Sequence, residues 1–483
     1  MSLKQIASLA RKLAAFLARF ADCFGRKDAR QLLPVVVQGQ LSDLPRKNAE
    51  TIALHAGKPP RTVQRFYESI KWDEQKALDR CQQIVAQDHA HPEAIGLIDE
   101  CGNPKSGHHT AGVGRQWCGR TGKVDNCVVA VHLGYAAPNF HCLLDSELYL
   151  PEDWIEDAQR RKEHHVPDDV EFHTKQEIAL QLLDRALANG VTVSAWTCDE
   201  AYGRDGKFFD GMEERHQKLV AEVPSNFTGW LKKPQIPPVS SDSSASSEST
   251  SRKPPCRPTH TVQNLARYSR VFQTQSWQRY RVKDTNKGPA VWEIKWSVFY
   301  RSGPDGLPTR RHCLIVARNV LTREKKYFVA NRAPGDHGVS LRWLLRVAFG
   351  RAVVEQCFRE AKQELGMGDF QMRGWRCIHR HFILTQLSYL FCAKIRYEYG
   401  ESSEFGRLTI DQVRRVIHVW LSCLDLPRSA RVRRVAAELA RQEYYQCRAA
   451  TAEASHIRTR LALLLSIGIN ACRIRSCIPP PPT

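Results

Sequence analysis

Ala94-Ile-Gly-Leu-Ile-Asp-Glu-Cys101 is a short apolar run that closes on two acids and is followed at once by Gly102-Asn103-Pro104. A run of this length bounded by turn residues reads as a buried strand, with Asp99 at its end. Outward from it the pattern alternates. Asn126–Leu133 and Phe140–Tyr149 read as further strands. Thr174–Asn189 has helical spacing, with Ile178, Leu182, Leu183 and Ala186 apolar. Thr192–Asp199 returns to strand, Phe208–Gln217 to helix and Lys218–Val223 to strand. Three strands, helix, strand, helix, strand predicts a mixed α/β layer, a sheet covered by helices.

The flanks differ from this centre. Residues 1–85 read as helical. Asn48–Gly57 ends on a glycine helix stop, Lys58-Pro59-Pro60 turns the chain, and Arg61–Ile70 starts a second helix. That is the helix-turn-helix pattern, whose second helix enters the major groove, with Arg61, Gln64 and Arg65 as the DNA-facing candidates. An ordinary helical hairpin fits the pattern equally. Residues 232–260 are rich in Ser and Pro and almost free of apolar side chains, the composition of a disordered loop or linker. Val291–Tyr300, Arg311–Ala317 and Lys326–Ala330 read as strands, with a turn at Gly303-Pro-Asp-Gly306. Leu341–Glu364 reads as one helix. The remainder through Ser476 reads as mostly helical and Arg-rich, before a proline tail.

The chain has 483 residues, and 71 Lys+Arg against 51 Asp+Glu give a formal charge of +20. The length suits about three domains. Hydrophobic residues at 42% and charged residues at 25% exclude wholesale disorder. The basic excess points to a polyanion, nucleic acid first. No uninterrupted apolar run reaches the roughly 18 residues of a membrane span, and the basic, amphipathic N-terminus is a poor secretory signal. Sixteen cysteines with no C-x-x-C pair read as reduced thiols of a cytoplasmic protein.

Asp199, like Asp99, follows an apolar run, where a strand delivers its tip to the edge of a sheet and ligands of open α/β sheets bind. Glu355 lies in the Leu341–Glu364 helix with Arg351 four residues before and Lys362 seven after, so the three share a face. A salt-bridged solvated stripe is the plainer account of that spacing. Three converging carboxylates have a chemical use, however. Oxygen ligands suit Mg²⁺, and a pair of such ions serves phosphodiester chemistry. Arg351 and Lys362 are placed to contact substrate phosphates. Lys105, Arg115, Arg120 and Lys123 form a basic, glycine-rich strip able to track a DNA backbone, or a plain polar hairpin. The Arg-rich C-terminal helices (Arg414, Arg415, Arg428, Arg431, Arg433, Arg434) suit DNA ends, a second subunit or a solvated face alike. The paired histidines at 108–109 and 164–165 are poor zinc ligands. Trp230, Trp277, Trp292 and Trp296 are better explained by packing than by stacking on a flipped base.

The set Asp99, Asp199, Glu355 resembles the D-D-E triad of bacterial insertion-sequence transposases. Around the Glu, that group carries a Tyr-x2-Arg-x3-Glu-x6-Lys signature. Arg351, Glu355 and Lys362 stand in its register, while its Tyr position holds Ala348. More closely, the chain is similar to the insertion-sequence family numbered seven hundred and one. The stretches that carry the similarity are Leu97–Lys105, Val113–Gly119 with Gly122-Lys-Val124, Asp199-Glu-Ala-Tyr-Gly203, Ala361–Gly366, and Trp375-Arg with Arg380-His381. Arg46-Lys-Asn48 and Trp72-Asp73 add to it. The similarity covers about residues 30–390.

The resemblance implies an RNase H-like mixed sheet, residues 92–224 with 339–395, interrupted by a β-rich insertion at 225–338. A DNA-binding region at 1–85 and a basic helical region at 396–478 would flank it. It implies Mg²⁺ as cofactor, with Mn²⁺ able to substitute, held by Asp99, Asp199 and Glu355. It implies cutting of double-stranded DNA at terminal inverted repeats and joining of the freed 3′-hydroxyls to target DNA. A homodimer would bring two element ends together, in a bacterial cytoplasm on the nucleoid. The rival expectations are a silent DNA-binding regulator and a nuclease of the same fold that never joins strands.

Overall fold

The computed structural model describes residues 3–235, 259–400 and 408–477. Most of the Ser/Pro stretch expected as a linker, and the proline tail, lie outside the described residues. The chain divides into two units, Met1–Ser194 with Ala352–Thr451, and Ala195–Arg351 with Ala452–Thr483.

The first unit opens with helices that the local chemistry terminates. Asn48 caps the helix Ala49–His55 by accepting from the Thr51 amide at 2.9 Å. Gly57 turns the chain in the left-handed region (φ 63°), and Pro60 opens the next helix, Pro60–Glu68. Asp73 caps Glu74–Asp88 through the Lys76 amide. Four strands follow: β1 (Ile95–Pro104), β2 (Val113–Cys118), β3 (Lys123–Ala137) and β4 (Phe140–Leu148). β3 pairs antiparallel with the other three. A capping box between Thr174 and Glu177 starts the helix Lys175–Ala188. The C-terminal half adds Val353–Leu365, Trp375–Gly400 and Ile410–Leu421. Trp375–Gly400 buries residues nearly all round, as the central helix of a core does.

Among its described residues the second unit carries nine strands: β5 (Ala195–Cys198), β6 (Leu219–Val223), β7 (Thr228–Trp230), β8 (His260–Thr261), β9 (Gln278–Thr285), β10 (Gly288–Ser302), β11 (Pro308–Asn319), β12 (Lys325–Ala330) and β13 (Arg475–Ser476). Their order is β13-β9-β10-β11-β12-β6-β5, with β7 joined to β10 and β8. β5/β6 and β9/β13 run parallel and the other pairs antiparallel, so the sheet is mixed. Val291, Val320, Leu464, Ile469 and Ala471 form a core that ties the last helical turns to β10. The fold is thus the expected mixed α/β architecture with helical N- and C-terminal regions.

Three expectations need correction. β1 does not turn at Gly102; Gly102 and Asn103 stay in register with Val129 and Val128. Pro104 is tolerated because it is the last strand residue, where a missing N–H costs little. β2 is a strand where only a basic strip was read. The helix expected over 341–364 is two, Leu341–Gly350 and Val353–Leu365. Arg351 (φ −49°, ψ −37°) and Ala352 (φ −54°, ψ −13°) keep near-helical dihedrals between them, so the periodicity ran through the break unseen. The C-terminal region is mostly helical as expected, with the two-residue β13 after its last helix.

Among the described residues every cysteine is a free thiol, and all but Cys447 and Cys472 are buried. No helix among them is long and apolar enough to cross a membrane.

Candidate active site

Asp99 occupies the middle of β1, directly opposite His132 on β3. It is 8% exposed, and its carboxylate accepts from the Glu100 amide at 2.8 Å. His132 is fully buried. Burial and then the charge of Lys362 push its pKa down to about 3, so it is neutral. Its Nδ1 pairs with Ser146 Oγ at 2.5 Å, and Gln386 donates to the same hydroxyl.

The helix Val353–Leu365 packs along β1, and three contacts set its direction. Near its C-terminal end, a Cβ on Gly368 would meet the Asn103 side chain at 3.0 Å. Further back, Lys362 Nζ donates to the Gly102 carbonyl at 3.1 Å. Further back again, the Phe358 ring meets His132 edge-on, centroids 5.0 Å apart. His132 is the register partner of Asp99, and Glu355 lies one helical turn before Phe358. Within the first unit, therefore, the start of this helix is brought to the level of Asp99. Glu355 is exposed there, in the first turn.

A buried polar network holds the helix in place. Glu360 accepts from Tyr389 at 2.5 Å and from Gln356 at 2.8 Å, and His141 Nε2 lies 2.9 Å away. Arg396 pairs with the same imidazole. Burial alone would raise the Glu360 carboxyl, but the hydrogen bonds from His141, Tyr389 and Gln356 hold it down to about 2. Beyond the helix, Gly366 adopts φ 74° as a left-handed cap, with a Cβ there falling 2.6 Å from Lys47 Cβ. Lys47 Nζ caps the Glu364 carbonyl at 2.7 Å, and its amide donates to Asp369 at 2.8 Å. The sequence did not show this network, because His141 and Lys47 lie hundreds of residues from their partners; the Gly366 stop was its one local signal.

Asp199 belongs to the second unit. It follows β5 and caps the short helix Glu200–Gly203 by accepting from the Ala201 amide at 2.9 Å. Among the described residues no group of three or more His, Cys, Asp and Glu lies close enough to hold a metal ion. The donor chemistry of Asp99, Asp199 and Glu355, oxygen only, is what a hard divalent cation takes. Arg351, the last residue of the second unit's run, lies outside the helix that carries Glu355 and Lys362. The common helix face expected for all three therefore reduces to Glu355 and Lys362. Ala348, at the signature Tyr position, is buried in the preceding helix.

The expected DNA contacts separate. Lys105 is half-buried, its ammonium bonded to the Phe370 carbonyl at 2.8 Å and lying 3.5 Å from that ring's centre. Burial brings its pKa down to about 8. It serves the fold, as does the Lys362 bond to Gly102. Arg115, Arg120 and Lys123 are exposed on the β2–β3 hairpin, and so is Trp117 at 55%, opposite Val124 at 50%, which sequence reasoning passed over. On the helix Pro60–Glu68, Arg61 pairs with Glu68 at 2.6 Å, and both line an open groove of about 1630 Å³ with Gln64, Lys162, Arg373 and Arg376. Arg65 is exposed but does not line it. Of the C-terminal arginines, Arg414 is buried against Asp43 and Glu364, and Arg431 caps carbonyls of Cys423, Leu424 and Leu426. Arg428, Arg433 and Arg434 are exposed. Trp292 packs on Phe349, and Trp277 lies beneath Lys295 and Arg318.

Residues 19–289, more than half of the chain, match the family described as DDE superfamily endonuclease. Over 190 residues the chain is 28% identical to a protein of Microchaete diplosiphon whose name reads "Probable transposase for insertion sequence element IS701". That alignment covers 39% of this chain and 47% of the relative, so the chain spans about half the length of the relative it matches.

Proposed function

The chain belongs to the DDE superfamily of endonucleases, and from this premise we propose that it is the DNA transposase of an insertion sequence. In this reading it cuts element ends and joins the freed 3′-hydroxyls to target DNA. Asp99, Asp199 and Glu355 are the carboxylates that do the work, within a catalytic domain made of residues 92–224 and 339–395. The observation that carries the reading is the packing of Phe358 on His132, which brings one turn of the Glu355 helix to the strand position of Asp99.

The carboxylates would hold divalent ions, Mg²⁺ or Mn²⁺, which when bound activate the attacking oxygen and stabilise the leaving one. The residues around them have their own tasks. Neutral His132 lies opposite Asp99 on the neighbouring strand and packs against Phe358 of the Glu355 helix. The Glu360 network fixes the helix, so that Glu355 is presented by a rigid element. The net charge of +20 favours duplex DNA as substrate. The exposed hairpin arginines and the groove beside Arg61 and Gln64 supply surfaces for element-end and target duplexes. Two ends call for two protomers, hence a homodimer in the working complex.

The test is strand transfer with pre-cut ends. Joined product that requires Mg²⁺ and disappears in Asp99→Asn or Glu355→Gln supports the transposase. Cutting without joining would make the chain a nuclease, and binding without cutting a regulator.

A further inference from the structure

Arg301, on β10 of the second unit, is sunk to 2% exposure. Its Nη2 donates to Asp210, and its guanidinium lies 5.5 Å from the Phe209 ring centre. Its Nε and Nη1 have no hydrogen-bond partner among the described residues. A guanidinium cannot shed its charge, so the fold maintains a fixed buried cation with two unmade donors. Buried polar groups are rarely left so, and an orphaned one points to a missing partner.

The surroundings say what that partner is. Arg301 borders a cavity of about 440 Å³, lined also by Arg204, Gly206, Asn226, Thr228 and Ser302. Among the described residues no carboxylate lines it; Asp210 is not among the lining residues. A Cβ at Gly206 would stand 2.7 Å from Nη1, so glycine there makes the room that the guanidinium occupies. Two arginines with a carboxamide and two hydroxyls suit an anion with several acceptor oxygens, and the planar fork of Arg matches phosphate best. The helix Gly206–Glu214 also begins at the wall, where the Asp205 carboxylate already caps it by accepting from the Lys207 amide at 2.8 Å, so the helix end adds nothing to the site.

We propose that this cavity is a phosphate site, and that its occupant is a backbone phosphodiester of bound DNA. The DNA assignment rests on the transposase reading, because Arg204 follows Asp199 by only five residues. A phosphate gripped here would fix a strand beside the stretch that carries that carboxylate. The phosphate chemistry itself stands on Arg301 alone.

The experiment uses the full chain in EDTA, so that cleavage plays no part. Duplex affinity is measured against salt concentration. Thermal stabilisation by inorganic phosphate is measured against chloride at equal ionic strength. The variants are Arg301→Gln, and, since that change disturbs a buried pair, also Arg204→Ala and Thr228→Val, on exposed or half-buried side chains. The expected result is stabilisation of the parent by phosphate, abolished in Arg301→Gln and reduced in the other two. Arg301→Gln and Arg204→Ala should each bind duplex about tenfold more weakly, with a salt slope shallower by about one. Folded variants that keep both the phosphate response and the parent's duplex slope would overturn the site. Loss of the phosphate response with duplex binding untouched would overturn the DNA assignment and leave a site for a free phosphate compound. A parent chain that binds no duplex at low salt would instead overturn the transposase reading, while the phosphate arm still decides the cavity.

Discussion

Where the helix Val353–Leu365 ends, four basic residues are used up by the fold. Lys47 caps the Glu364 carbonyl, Lys105 bonds the Phe370 carbonyl, Arg380 holds Glu74 and the carbonyls of Phe66 and Tyr67, and Arg414 joins Asp43 to Glu364. On the β2–β3 hairpin of the same unit, Arg115, Arg120 and Lys123 stand exposed around an exposed Trp117. The two regions read alike in the sequence, as basic residues among Gly, Trp and polar neighbours. Burial separates them. At the junction the cations satisfy orphan carbonyls at helix ends, which must find donors somewhere. At the hairpin they are offered to solvent, where the proposed DNA would meet them. The motifs Arg46-Lys-Asn48 and Arg380-His381, two of the stretches in the family resemblance, belong to the junction. They mark the scaffold rather than the chemistry.

The difference can be broken most forcefully at Arg380. Removing a buried, hydrogen-bonded cation leaves three acceptors behind, so Arg380→Ala should cost about 3–5 kcal/mol in denaturant unfolding. A loss below about 1 kcal/mol would mean that the junction is not built on its cations. Next comes the acid that positions the helix. Glu360 titrates near 2 in the fold against an ordinary 4.5, so its contribution is complete above pH 4.5 and fades as pH falls toward 2. The gap in stability between the parent and Glu360→Gln should therefore shrink by up to about 3 kcal/mol across that window. A gap that does not change with pH would remove Glu360 from the acid limb. At Gly366, an alanine meets both a left-handed backbone and the Lys47 side chain, and Gly366→Ala should cost about 1–3 kcal/mol. The hairpin should respond in the opposite way. Arg115→Ala, Arg120→Ala and Lys123→Ala should each change stability by less than about 0.5 kcal/mol, yet each should lower the salt slope of duplex binding by about one. If instead they destabilise the fold and leave binding alone, the two regions are the same kind of region.

The alternation of strands and helices over 94–223 was legible because each element is short, apolar and closed by its own turn or cap, as at Thr174 and Asp199. β2 was not, since Val113-Gly-Arg-Gln-Trp-Cys118 alternates exposed basic and aromatic residues on an outer strand and has no apolar run. The break at Arg351 left no mark because neither Arg351 nor Ala352 departs from helical dihedrals. Of the proposed site, Asp99 and Asp199 were read as acids following apolar runs, and Glu355 by its spacing to Lys362. What those neighbours do could not be found. The partner of Lys105 is 265 residues away and that of Lys362 260 residues away, and no local pattern encodes such distances. Arg301 was invisible for the same reason, being one arginine among many until its burial is known.

The central claim is that Asp99, Asp199 and Glu355 act together on a phosphodiester. The most direct test is nicking of a labelled duplex carrying the DNA that flanks the coding sequence. It is run with Mg²⁺ and with EDTA, beside Asp199→Asn, whose residue lies in the other unit from Asp99 and Glu355. The account predicts a nick that needs the metal and is lost in the variant, while the variant still binds the duplex. Nicking that persists in Asp199→Asn, or in EDTA, would contradict it.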